Sequence, residues 1–190
     1  MNNFFKVFLK FFESFLKVFQ ILPMCIYMNQ NYYTRNINGQ EVQVYDIVDA
    51  WKMSPWIAQA TQYLLRAKFK GNSLSDYRKC YDHIQHEMER VSSEPGYCLR
   101  YGGLSNPYEQ NCEQAAKYIG GKFIYFDAIA DAWNLDDTES SILRGLLGYS
   151  SKVHKGYEEL MSLAEASKKC IDLMTKESDK VRAASKDGAE

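Results

Sequence analysis

The sequence has no metal-thiolate spacing, no phosphate-cradling glycine loop and no uninterrupted apolar run long enough to span a bilayer. Each absence removes a class of function. The five cysteines (Cys25, Cys80, Cys98, Cys112 and Cys170) are odd in number, widely separated and never arranged as C-x-x-C. That pattern excludes a zinc ribbon and a disulfide framework and fits reduced, intracellular thiols. The formal net charge is −1, so the global basic field that announces a nucleic-acid binder is missing. Gly120-Gly121-Lys122 contains a Gly-Lys pair, but Ala116 stands where the first glycine of a Walker A loop belongs. No Gly-x-Gly-x-x-Gly occurs either.

What remains is a chain of 190 residues, 46 % hydrophobic and 25 % charged, which is the composition of one ordinary globular domain or two small ones. Residues 1–27 are a different material. Seven of the ten phenylalanines lie there, with Lys6, Lys10, Glu13 and Lys17 on one narrow polar stripe of an amphipathic helix. Those charges break every long apolar run, so no transmembrane span is expected, and no clean apolar h-region or cleavage site marks a signal peptide. Three readings stay open: an interfacial membrane helix, a helix docked on the body or in a homo-oligomer, or upstream sequence that is not translated, with Met24 and Met28 as later starts.

In the body, Asn38-Gly39 is a favoured two-residue turn and predicts a β-hairpin over residues 33–44. A helix Tyr45–Met53 follows, stopped near Pro55. Trp56, Ile57, Ala60, Tyr63, Leu64 and Ala67 recur at helical spacing over Trp56–Lys70, with Gln59, Gln62 and Arg66 as a polar stripe on the flank. Gly71 is a natural helix stop, and Ser73 with Asp76 has capping-box spacing for a third helix. Its core face is Tyr77, Cys80, Tyr81, Ile84 and Met88, bordered by a stripe of Asp76, Lys79, His83, His86 and Arg90. Turn signals then make 91–113 a linker.

The opening pattern recurs after the linker. A second hairpin around Gly120-Gly121 leads into Asp131-Ala132-Trp133, matching Asp49-Ala50-Trp51, and this argues for an internal duplication. With a short gap, Ile142-Leu143-Arg144 aligns with Leu64-Leu65-Arg66. Val153, Tyr157, Leu160, Ala164, Ile171 and Met174 give the last helix its packing face. The expected architecture is α+β and mainly helical: a leader (1–27), a first repeat of hairpin plus three helices (28–90), the linker (91–113), a degenerate second repeat (114–176) and a charged, disordered tail (177–190).

Arg66 with Lys68, Lys70 and Lys79 is the candidate phosphate site, since arginine offers a bidentate fork and lysines mobile point charges. The alternative is a solvated basic face bordering the core. Asp76 orients a cation or simply caps the helix. Tyr33 and Trp51 are placed to stack on a base, or else belong to the core. Cys80, His83, His86 and Glu87 share a helix face as a metal set would, but no partner ligands appear elsewhere and no metal is assigned.

These residues together resemble the phage nucleotide kinase family, typified by the P-loop-free deoxynucleoside monophosphate kinases of T-odd coliphages and including short staphylococcal-phage proteins. The resemblance rests on Tyr32-Tyr33, Asp49-Ala50-Trp51-Lys52-Met53, Gln62-Tyr63-Leu64-Leu65-Arg66, Lys68 and Lys70, and Asp76-Tyr77-Arg78-Lys79-Cys80 with His83-Ile84. It covers roughly a third of the chain. Ala58-Gln59 replaces the family's Gly-Asn, and Gln62 replaces its lysine. The resemblance implies a deoxynucleoside monophosphate kinase of the infected bacterial cytoplasm, using ATP or another nucleoside triphosphate with Mg. Arg66 and Asp76 would be catalytic, and Tyr33, Trp51, Lys68, Lys70 and Lys79 would bind substrate. The different-class alternative, which the departures favour, is a non-catalytic module binding a nucleotide or a host protein. Neither reading calls for nucleic acid.

Overall fold

A computed structural model of the chain describes residues 32–94, 117–151 and 156–187, apart from the side chains of 118 and 183–187. The leader and most of the linker lie outside the described residues. The described body, with residues beyond its edges, forms one compact unit over Tyr32–Glu190.

Asn38 (φ 52°) and Gly39 (φ 79°) make the left-handed pair that a two-residue hairpin turn needs, and they join β1 (Thr34–Ile37) to an antiparallel β2 (Gln40–Gln43). β2 runs straight into the short helix α1 (Val44–Ala50), whose start is held by the Gln43 amide donating to Asp46 at 2.7 Å. α1 ends on Trp51 and a left-handed Lys52 (φ 50°), with Trp51, Lys52 and Met53 amides closing onto Ile47, Asp49 and Val48 carbonyls. The second hairpin, β3 (Lys117–Ile119) and β4 (Lys122–Ile124), turns on Gly120 (φ 53°) and Gly121 (φ 92°) and leads into α4 (Phe126–Ala132). α4 ends on Trp133 and a left-handed Asn134 (φ 51°), with the Trp133, Asn134 and Leu135 amides bonded to Ile129, Asp131 and Ala130.

Pro55 and Ser54 start α2 (Pro55–Arg66), which tightens into a 3-10 turn at Ala67–Phe69. Gly71 (φ 77°) then reverses the chain into α3 (Ser73–Ser93). The expected Ser73–Asp76 capping box does not form. Asn72 caps α3 through Ser75, Ser73 donates to the Ala67 carbonyl at 3.0 Å, and Asp76 is drawn inward by Arg66. α5 (Asp137–Ser151) carries a capping box, with Asp136 and Glu139 exchanging amide-to-carboxylate bonds of 2.7 and 2.9 Å. α6 (Tyr157–Asp187) runs on as helix through the stretch whose charge suggested an irregular tail, exposed along 176–182.

The four long helices pack in a closed ring: α2 on α3, α3 on α6, α6 on α5 and α5 on α2. Hairpins and short helices cross over, with α1 against β3 and α4 against β1. The two turns also exchange bonds. Gln40 Nε2 donates to the Ile119 carbonyl at 2.9 Å, and Lys122 Nζ donates to the Asn38 carbonyl at 2.8 Å. One core runs through both halves and includes Ile37, Val42, Ile47, Trp51, Leu64 and Tyr77 with Ile119, Ile124, Ile129, Trp133, Ile142 and Leu146. Each such side chain contributes roughly 1.5–3 kcal/mol by leaving water. The molecule is therefore mainly helical with small antiparallel hairpins, as the α+β pattern predicts. Among the described residues no helix is long and apolar enough to cross a membrane.

Candidate functional site

Arg66 sits on the last turn of α2 and faces α3. Its Nε and Nη2 donate to the two Asp76 oxygens at 2.8 and 3.0 Å, a bidentate pair, and Nη1 donates to the Tyr33 hydroxyl. The guanidinium also lies 4.3 Å from the Tyr63 ring centroid. Arg66 is 8 % and Asp76 2 % exposed, so this is a buried ion pair rather than a solvated stripe. Burial by itself lowers the Arg66 pKa, but the bonds to Asp76 and Tyr33 outweigh it and raise the pKa above its ordinary value. Three N–H donors are thus committed within the protein. The fork that the sequence offers to a phosphate is closed on a carboxylate.

Lys68 is also engaged. Its ammonium lies 2.5 Å from Glu139 Oε2 and 3.7 Å from Asp136, and donates to the Asn134 carbonyl at 2.8 Å. Glu139 is 1 % exposed and accepts in addition from the Tyr77 hydroxyl, so the first half's turn is tied to the start of α5. Burial, then the Glu139 hydrogen bond, pushes the Tyr77 phenol far up, and it stays a neutral donor. A second buried Tyr–Glu contact, Tyr149 to Glu87 at 3.1 Å, joins the same two helices.

Lys70 and Lys79 are exposed, and Lys79 stands 5.4 Å from the Tyr63 ring centroid. Tyr33 is half-buried with its hydroxyl spent on Arg66. Trp51 is 2 % exposed and belongs to the core. The geometry thus brings Tyr33, Arg66, Asp76 and Lys79 together around Tyr63 and turns Lys68 toward α5. Cys80 is buried while His86 is exposed, and among the described residues no group of three or more His, Cys, Asp or Glu side chains could hold a metal ion.

Sequence reasoning passed over Glu139, Tyr77 as its donor, and the Glu87–Tyr149 contact. The spacing Asp136-x-x-Glu139 signals the start of α5. Nothing in it signals that the carboxylate is buried against a lysine from the other half. Comparison of the chain with protein-family models, curated proteins and solved structures finds no match.

Proposed function

We propose that this chain binds a nucleotide at the exposed edge between α2 and α3 and does not transfer its phosphoryl group. One observation carries the reading: Arg66, the residue that would have to stabilise a moving phosphoryl group, is buried and closed on Asp76 and Tyr33. Phosphoryl transfer depends on positioned positive charge at the reacting oxygens, and a fork already filled by a carboxylate has lost most of that capacity. Lys70 and Lys79 stand at the surface, the latter beside the Tyr63 ring, and suit a phosphate-bearing ligand. The nucleotide comes from the resemblance to phage nucleotide kinases, as does a setting in the cytoplasm of an infected bacterium.

The second reading is the deoxynucleoside monophosphate kinase itself, with ATP or another triphosphate as donor and Mg. It is favoured by the rigidity of Arg66, because a preorganised guanidinium costs no reorganisation at the moment of reaction. An internal duplication belongs to the same proposal. It is supported by the matched geometry at Trp51 and Trp133 and by the reciprocal bonds between the hairpin turns.

The test is a thin-layer assay of the purified protein with radiolabelled ATP and each deoxynucleoside monophosphate, run beside thermal shift with the same nucleotides. Stabilisation without transfer is the expected result. Transfer establishes the kinase, and neither effect leaves a role in binding a protein partner.

A further inference from the structure

On the surface between α2 and α3 three rings stack. His83 lies between Trp56, at 5.5 Å between centroids and 26° between planes, and Tyr63, at 5.3 Å and 14°. His86 leans on the same tryptophan at 4.8 Å and stands 6.2 Å from His83. The Nδ1 atom of His83 is buried with no hydrogen-bond partner among the described residues.

We propose that Trp56, His83 and Tyr63 form an acid-sensitive clasp between α2 and α3, which loosens and bares its two aromatic faces when His83 takes up a proton. A neutral imidazole stacks flat and tolerates one unmatched acceptor. An imidazolium carries an N–H on both nitrogens, and the one on Nδ1 has no acceptor. At the Tyr63 ring the attraction of an aromatic face for a cation is already shared with Arg66 and Lys79, at 4.3 and 5.4 Å from its centroid.

The charged surroundings point the same way. From α2 the group meets Arg66 beyond Tyr63. From α3 it meets His86 and Asp82, with Lys79 at the Tyr63 ring, and behind His86 stands Glu89, 3.4 Å from its Nδ1. The 3-10 turn packed on α3 contributes Lys68, which is held by Glu139, and α6 brings Cys170 near the buried Cys80, both thiols kept neutral by burial. Burial first, then His86, holds the His83 pKa below the ordinary imidazole value, against the opposing pull of Asp82. The unfolded chain therefore binds the proton more readily than the folded one. The stability carried by the clasp is complete above about pH 6.5 and is lost as pH falls toward the depressed value.

The chain has three histidines, so a proton NMR titration of the whole protein follows three imidazole signals. The signal that disappears in His83→Gln should titrate below about 6.5 and lie upfield, as a proton between two rings does. The fall in melting temperature between about pH 7.5 and 5.5 should be several degrees larger in the wild type than in His83→Gln, while His86→Gln, which removes only the second cause of the depression, should reduce that fall in part. Trp56→Leu, at a half-buried position, should move the His83 titration toward the ordinary value. A His83 signal titrating at or above that value, an unmoved titration in Trp56→Leu, or equal falls in wild type and His83→Gln would overturn the clasp.

Discussion

At the end of α2 the chain places Arg66, closed on Asp76 and Tyr33. The offset that carries Trp51 to Trp133 and Pro55 to Asp137 carries Arg66 to Gly148, where an added Cβ would meet nothing within 4 Å. Asp76 corresponds to Glu158, which is exposed at the start of α6. In this ungapped register Arg144 falls opposite Gln62, whereas the alignment with a short gap sets it against Arg66. It is an exposed residue of α5, over the Phe126 ring at 4.4 Å and 4.0 Å from Asp127. Around these differences the frames agree: a left-handed turn pair, a seven-residue helix, a buried tryptophan, then a left-handed residue. What the two halves share is turn chemistry and apolar burial, and among the described residues the second half reaches that geometry without a matching ion pair at these positions. A buried charge pair is often no more stabilising than well-packed apolar residues of similar volume.

The strongest test of the shared frame is to remove each tryptophan. Trp51→Ala and Trp133→Ala should each cost about 3–5 kcal/mol in urea unfolding, and by similar amounts. A cost in one and none in the other would break the equivalence. Asp76→Ala should cost on the order of 3–5 kcal/mol because it strands a buried guanidinium, while Glu158→Ala should leave the midpoint unchanged. Next in size, Arg66→Lys keeps the charge but loses the fork and the Tyr33 contact. It should cost about 1.5–3 kcal/mol, and Arg144→Lys should have no measurable effect. If Arg66 does serve phosphoryl transfer, Arg66→Lys should also cut kcat/KM by roughly 10²–10³-fold, and unchanged turnover would remove it from the chemistry.

The smallest effect separates the two turns. Asn38→Gly should be nearly silent, since either residue accepts a left-handed φ. Gly120→Asn keeps that freedom, yet its Cβ would lie 2.0 Å from Gln40 Nε2. Displacing that amide loses its bond to Ile119, at about 1 kcal/mol by thermal melting.

Much of the frame is legible because its signals are local. Asn38-Gly39 and Gly120-Gly121 announce hairpins, Pro55 and Gly71 bound α2 and its turn, and the Ile57, Ala60 and Leu64 spacing finds the buried face. The site is less legible because its partners come from elsewhere. Helical spacing puts Arg66 on a polar flank, but whether that flank meets water or Asp76 depends on how α3 folds back. The same gap explains Lys68, whose acceptor Glu139 lies in the other half, and Asn72, which caps α3 in place of Ser73. It also explains Trp51, an aromatic beside a hairpin that is packed inside rather than offered to a base.

The exchange of bonds between the two hairpin turns has a consequence for synthesis. Gln40 reaches a carbonyl 79 residues further on, and Lys122 reaches back across 84. A first half emerging from the ribosome has its local turns and helices but not the strand that α1 packs against, nor the carboxylate that neutralises Lys68. Closing contacts over such separations is slow, and a core left open meanwhile exposes apolar surface to its neighbours. Nascent chains stalled before Glu139 should accordingly be cut readily by protease, with protection arriving only once α5 and α6 have emerged. For this chain the vulnerable interval lasts through translation of most of its length, and chaperone binding should be concentrated there.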